Sequence, residues 1–142
     1  MQIERSVLHA IRQHLIAAYP AEGCGFLVGQ RQGDDVLVSR QRPVHNHRDA
    51  DGAERTRYFI SPDDFLSAER AAAADGLQVV GVYHSHPNVG ARPSTYDREH
   101  AWPWYRYLIV SVMRGVVKQE CVWELADDRS SFVEHVLRVK EH

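Results

Sequence analysis

The run Val79-Val80-Gly81-Val82-Tyr83 is apolar at every position and leads directly into His84-Ser85-His86. A stretch without polar residues at alternate positions suits a strand covered on both faces, so Leu77 to His86 reads as the central strand of a sheet. Residues i and i+2 of a strand share a face, which projects His84 and His86 side by side from its end. Of the nine histidines, His9, His14, His135 and His142 lie among polar residues and read as surface positions. The pair on the apolar strand stands apart from them.

The flanking segments can be placed around that strand. Val7/Leu8, Ile11, Leu15 and Ala18 recur at helical spacing and Pro20 stops the run, predicting an amphipathic helix over about 4–18. Gly25 to Gly29 reads as a short strand, Gln30 to Asp35 as a turn, and Val36 to Val44 as the returning strand of a hairpin. His45 to Arg57 is polar, centred on Asp49-Ala50-Asp51-Gly52, and reads as a loop. Tyr58-Phe59-Ile60 suggests a short strand. Ser61-Pro62-Asp63-Asp64 then carries an N-cap, a proline at the first helical position and first-turn acids; the alanine-rich helix they open should end at Asp75-Gly76.

Beyond the histidine strand, Asn88 to Pro93 reads as a loop and Ser94-Thr95-Tyr96-Asp97 as the start of a helix that Pro103 keeps short. Tyr105–Met113 and Val116–Leu125 read as strands joined by a tight turn at Arg114-Gly115. Phe132 to Val139 fits either a final strand or a short helix. The expected class is α/β, a mixed β-sheet flanked by helices, a sandwich rather than a bundle or barrel, in a single domain over residues 1–142.

Composition narrows the function classes. Hydrophobic residues make up 44% and charged residues 25%, with a net charge of −2, an ordinary globular balance. Without a basic block, nucleic-acid binding is not expected. Cys24 and Cys121 form no CxxC unit, so neither a disulfide framework nor a cysteine-rich zinc ribbon is indicated. The N-terminal residues lack an apolar signal core and no run approaches membrane-spanning length, making a cytoplasmic location, away from membranes, the expectation.

The strand histidines point to metal chemistry. Two imidazoles so placed can bind one zinc ion, and a catalytic zinc takes a third protein ligand and keeps one position open. Asp97, beyond the next loop, is the candidate third ligand. Glu22 can serve as general base toward water acidified by the ion, and Ser94 can donate a hydrogen bond to an oxyanion. Ser94-x-x-Asp97 also has the spacing of a helix capping box, which would account for both residues without any catalytic role.

His84-Ser85-His86, then Ser94 after the seven residues Pro87 to Pro93 and Asp97 after two more, resembles the signature of the JAMM (MPN-plus) metallopeptidases. The upstream segment Pro20-Ala21-Glu22-Gly23-Cys24-Gly25-Phe26-Leu27-Val28-Gly29 is similar to that family's glutamate strand, and the order of elements matches along nearly the whole chain. The resemblance implies a JAMM/MPN-like sheet, similar to the cytidine-deaminase sandwich, in a zinc metallopeptidase or isopeptidase. It implies His84, His86 and Asp97 as metal ligands, with Glu22 and Ser94 as catalytic residues. Ala91-Arg92-Pro93-Ser94 and Ala101-Trp102-Pro103-Trp104-Tyr105 resemble the small bacterial and archaeal members. Some of those process ubiquitin-like sulfur-carrier proteins at a C-terminal Gly-Gly, which implies such a carrier as substrate.

Two rival readings keep parts of this picture. A catalytically idle scaffold of the MPN type would have no need of Glu22, His84, His86, Ser94 and Asp97 together. A zinc hydrolase of a small-molecule amide or base fits less well, since deaminases use a Pro-Cys-x-x-Cys unit that is missing here. The HExxH helix of other zinc peptidases is missing too. Cys24 reads as a small buried hydrophobe, Tyr83 and Trp102 as packing residues, and His45-Asn46-His47 as a solvated or substrate-lining loop in which Asn46 could bond a substrate tail.

Overall fold

The computed structural model describes residues 1–45 and 58–141. Its elements run β1 (Gln2–Glu4), α1 (Arg5–Ala18), β2 (Cys24–Gln32), β3 (Asp35–Val44), α2 (Pro62–Ala74), β4 (Gln78–Pro87), α3 (Thr95–His100), β5 (Arg106–Met113), β6 (Val116–Leu125), β7 (Phe132–His135) and β8 (Arg138–Lys140). Among the described residues the strands form one sheet in the order β7-β6-β5-β4-β2-β3-β1-β8. The histidine strand β4 sits centrally, antiparallel to β2 and parallel to β5. The sheet is mixed and helix-flanked, as the sequence predicts.

Each face of the sheet carries its own core. On one, Val7, Leu8, Ile11 and Leu15 of α1 pack with Leu27, Val38, Val80, Tyr83 and Leu108. On the other, Ala68 and Ala72 of α2 lie against Phe26, Val82, Tyr107 and Ile109. Fully buried Leu and Ile side chains stabilise the fold by roughly 1.5–3 kcal/mol each, so the stripe on α1 anchors that helix. The caps of α2 form as expected: Ser61 Oγ accepts from the Asp64 N–H at 3.1 Å, Pro62 opens the helix and Gly76 follows it at φ +70°.

Several local expectations are corrected. The helix is preceded by β1, which pairs in parallel with β3 and β8. The hairpin turn is tighter than predicted, because Gln30–Gln32 continue β2 and only Gly33-Asp34 separate it from β3. Tyr58–Ile60 is not a strand; the Tyr58 carbonyl accepts from Tyr96 Oη at 2.8 Å, and Ile60 sinks into the α2-side core. Phe132 to Val139 contains two strands, β7 on β6 and β8 on β1. These edge strands are separated by Val136 and Leu137 alone, so the sheet curls until its two ends meet within about 11 Å, three Cα steps. His14 is half-buried, with Nδ1 2.7 Å from Tyr83 Oη. The predicted loop after His45 lies outside the described residues. Among the described residues no helix is long and apolar enough to cross a membrane.

A bulge sets which face the histidines take. Leu27 pairs with Gly81 but Val28 pairs with Val79, leaving Val80 as an extra residue on β4. Val80 therefore joins the α1-side core while Val79 and Val82 both join the α2 side, and the alternation beyond the bulge puts His84 and His86 on the face of Val82. Gly81 fits this crossing because a Cβ there would lie 2.0 Å from the Arg106 carbonyl oxygen on β5. Gly81→Ala should accordingly lower stability by ~1–3 kcal/mol through overpacking, read as a lower urea midpoint. An unchanged midpoint would mean the β4–β5 contact relaxes freely.

Candidate metal centre

The β2–β4 ladder continues past its last paired strand residues, Cys24 and His84. Ser85 N–H donates to the Gly23 carbonyl at 3.0 Å, and Gly23 N–H donates to Ser85 Oγ at 2.9 Å. Carried one step further, this register sets Glu22 across from His86. Glu22 is 3% exposed and lines a cleft of about 360 Å³ with His86, Ser94, Tyr96 and Asp97. The sequence shows Ser85 only as the spacer of the histidine pair; its bonds to Gly23 become visible once strand register is known.

Asp97 arrives on α3 through a cap. Ser94 Oγ accepts from Asp97 N–H at 3.0 Å, and Ser94 N–H donates to Asp97 Oδ2 at 2.8 Å. This is the capping box anticipated from the spacing. It orients the carboxylate toward the histidines: Asp97 Oδ2 lies 3.1 Å from His86 Nε2 and Oδ1 lies 3.3 Å from His84 Nε2. Capping and presentation to the histidines are thus two results of one geometry. The cap uses Ser94 Oγ as acceptor and leaves its hydroxyl hydrogen to donate.

The imidazoles are oriented from behind. His86 Nδ1 lies 2.9 Å from the Gly90 carbonyl, which only accepts, so Nδ1 carries the hydrogen and neutral His86 offers its lone pair at Nε2. Tyr58 stacks on His84 at 4.4 Å between ring centroids. His84 Nδ1 has no partner among the described residues. Gly90 and Tyr58 carry no sequence signal for these roles, since each depends on a loop whose return path is set by packing.

The electrostatics follow from burial and the shared carboxylate. Burial opposes charge on Asp97, but the two imidazoles and the Ser94 N–H outweigh it and hold the carboxyl well below the usual range. Burial pushes His84 below the ordinary histidine value, with Asp97 only partly offsetting it. At His86 burial also pulls downward, and there Asp97 and the Gly90 carbonyl prevail and raise the value.

The donor set fits a metal ion. His84 Nε2 and His86 Nε2 are 3.2 Å apart, and with Asp97 all three residues offer ligand atoms to one point. Tetrahedral zinc bonds of ~2.0–2.1 Å place ligand atoms about 3.3–3.4 Å apart, close to the 3.2 Å between the two imidazole nitrogens, while each nitrogen lies near a different oxygen of Asp97. The two Nε2 atoms face each other across 3.2 Å, and with the hydrogen of each ring on Nδ1 both lone pairs would point to the space a cation could fill.

Other singled-out residues divide. Tyr83 is fully buried, as a packing residue should be, and Cys24 is buried with its thiol 3.9 Å from the Val44 carbonyl. Among the described residues neither Cys24 nor Cys121 forms a disulfide. Trp102 departs from the packing expectation: it is 46% exposed and stacks on Trp104 at 5.1 Å. Both indoles line an apolar groove of about 480 Å³ that meets the metal cleft at Tyr96. His45 is exposed, while Asn46 and His47 fall outside the described residues.

Comparison with known proteins shows what the chain as a whole is similar to. The family described as prokaryotic homologs of the JAB domain matches residues 4–125. A desampylase from Haloferax volcanii is 38% identical over 107 residues, covering 75% of this chain and 73% of that protein. A probable TtuB-protein conjugate cleaving protease from Thermus thermophilus is 33% identical over 103 residues, covering 72% of this chain and 64% of that protein. A solution structure from Desulfitobacterium hafniense superposes with a TM-score of 0.85 at 29% identity, over 99% of this chain and 93% of that one. The fold is also that of a structure described as a JAMM metalloprotease-like zinc site in the proteasome and signalosome, with a TM-score of 0.58 at 20% identity over 99% and 98% of the two chains.

The geometry predicts one bound zinc per chain after reconstitution. His86→Ala and Asp97→Ala should each lose most of it, because a three-ligand site cannot spare one. Elemental analysis after gel filtration checks this, and equal zinc in wild type and Asp97→Ala would remove Asp97 from the ligand set.

Proposed function

The chain belongs to the prokaryotic homologs of the JAB domain, and on that basis we propose that it is a zinc-dependent peptidase or isopeptidase of the JAMM type. Its proposed substrate bond is the amide at the C-terminal Gly-Gly of a ubiquitin-like protein of the sulfur-carrier class. The observation that carries the proposal is the meeting of Glu22, His86, Ser94 and Asp97 in one cleft, with His84 completing the ligand triangle. A metal-binding site alone would not need a second buried carboxylate beside its ligands.

In this reading His84, His86 and Asp97 hold the ion. When bound, zinc supplies Lewis acidity, polarising a carbonyl and lowering the pKa of water toward ~7. Glu22 accepts the proton released by the attacking water and returns it to the leaving amine. The Ser94 hydroxyl donates to the oxyanion that develops on the substrate carbonyl. The Gly90 carbonyl, bonded to Nδ1, orients the His86 ring without occupying its ligating nitrogen.

The relatives' names support the substrate class, one being a desampylase and another a conjugate-cleaving protease. The cleft supports an extended, narrow tail, since glycines let a backbone approach atoms sunk beside a sheet. The groove through Tyr96, Trp102 and Trp104 offers apolar contact to the side chains that precede those glycines.

Catalysis and binding should separate by mutation. Glu22→Gln should retain zinc yet lose most activity, and Ser94→Ala should cost on the order of 10²–10³ in rate. Wild-type turnover by zinc-loaded Glu22→Gln would refute the general-base role.

The substrate reading is checked by incubating zinc-loaded protein with sulfur carriers bearing C-terminal extensions and with ubiquitin conjugates, identifying products by mass spectrometry. Cleavage immediately after Gly-Gly of the carrier is expected, with valine at the second glycine sharply lowering kcat/KM. Trp102→Ala should raise KM more than it lowers kcat. Equal cleavage of the glycine and valine carriers would overturn the narrow-tail reading.

A further inference from the structure

The β6–β7 connection reaches back to the far end of α3. At its tip Arg129 has φ +63°, a left-handed conformation unfavourable to a residue with a Cβ. The turn holds it there. Arg129 N–H donates to the Ala126 carbonyl at 2.8 Å and Ala126 N–H to the Ser131 carbonyl at 2.9 Å. The Asp128 carboxylate accepts from Ser130 N–H at 3.0 Å and from Ser130 Oγ at 2.6 Å.

The side chain so presented meets the carbonyls of Ala101 at 2.8 Å, Arg98 at 3.0 Å and Glu99 at 3.3 Å. These oxygens lie at the C-terminal end of α3, where helix geometry provides no partner. Contact runs the other way too, from the Arg98 guanidinium to the Ser130 carbonyl at 3.4 Å. A planar guanidinium can serve several carbonyls at once through its fixed fork of donors; an ammonium on a flexible stem serves fewer.

This clamp matters because α3 has only six residues, too few to persist as an isolated helix. Its first turn is tied by a cap that employs the Asp97 carboxylate itself. The other end is tied by Arg129. The geometry points to Arg129 as a positioning residue for the metal centre: it holds α3 where Asp97 can close the triangle with His84 and His86, and so raises metal affinity without touching the ion. This rests on the reading of those three residues as ligands.

The test compares wild type, Arg129→Ala, Arg129→Lys and Arg40→Ala in the full chain. Arg40→Ala is the control, since it removes a surface ion pair with Asp75 remote from the site. Zinc affinity is measured by competition with a chromophoric chelator, and amide hydrogen exchange is followed on the metal-free proteins. Arg129→Ala should weaken zinc binding by up to about 10-fold, the lower edge of the range for groups bonded directly to a metal ligand, and should accelerate exchange across residues 97–101 and the turn at 126–131 but not in the sheet. Arg129→Lys should fall between it and wild type, and Arg40→Ala should match wild type in both measurements.

Wild-type affinity and exchange in Arg129→Ala would overturn the inference, as would faster exchange throughout the sheet, which marks general loosening. If Arg129→Ala does not fold, wild-type affinity in Arg129→Lys overturns it instead. A wild-type protein that binds no zinc would defeat the ligand reading and, with it, the affinity claim, while the exchange measurement separately decides whether Arg129 holds α3.

Discussion

The antiparallel pairing of β4 with β2 is the constraint on which the rest of the site depends. With Cys24 fixed opposite His84 and Gly23 bonded twice to Ser85, the chain before β2 must pass the end of the histidine strand. Glu22 is buried there although it belongs to no strand. Its separation from His86 along the chain is bridged by backbone hydrogen bonds, which cannot slip by one residue without turning Phe26 and Leu27 to the wrong cores. The hydrophobic cores therefore hold the polar residues in register.

Sharing of one carboxylate is the second organising interaction. Asp97 faces both imidazoles and the Ser94 N–H, and its charge is retained despite burial because each partner favours the ionised form. Groups of this kind are costly to leave incompletely paired in a low-dielectric setting. A metal-free interaction scaffold would gain little from keeping such a cluster buried. A metal centre, in contrast, needs neutral imidazole nitrogens and an ionised carboxylate; burial favours the neutral ring at His84, and the partners of Asp97 favour its ionised form.

The curled sheet also explains where a large partner can approach. The α1 side is closed by a continuous apolar core, whereas the other face ends in a groove bordered by Leu66, Trp102 and Trp104, all substantially exposed. Tyr96 belongs to both the groove and the metal cleft, and its hydroxyl ties it to the Tyr58 carbonyl while Tyr58 covers His84. A substrate lying along the groove would therefore contact the residues that brace the candidate metal ligands. Binding and ligand orientation are physically adjacent here.

Periodicity and spacing in the sequence determined the central strand, the helices of both faces and the identities of the candidate ligands. Those signals are local: an apolar run, an i and i+2 histidine pair, and the Ser94-to-Asp97 cap each express themselves within a few residues. Local patterns did not disclose β1 and β8, three-residue strands that exist only because distant segments pair with them, nor did they deny Tyr58–Ile60 the strand its composition suggested. The Val80 bulge was equally hidden, although it sets the face on which the histidines emerge. The exposed aromatic groove escaped too, since a tryptophan's sequence neighbours do not reveal whether a partner element covers it. The residue types of the site were thus written in the chain, while their convergence, the ring orientations set by Gly90 and Tyr58, and the bracing of α3 by Arg129 were decided only by tertiary structure. Each of those requires contact between segments far apart in sequence, and such contacts are selected by packing and backbone pairing rather than by local preference.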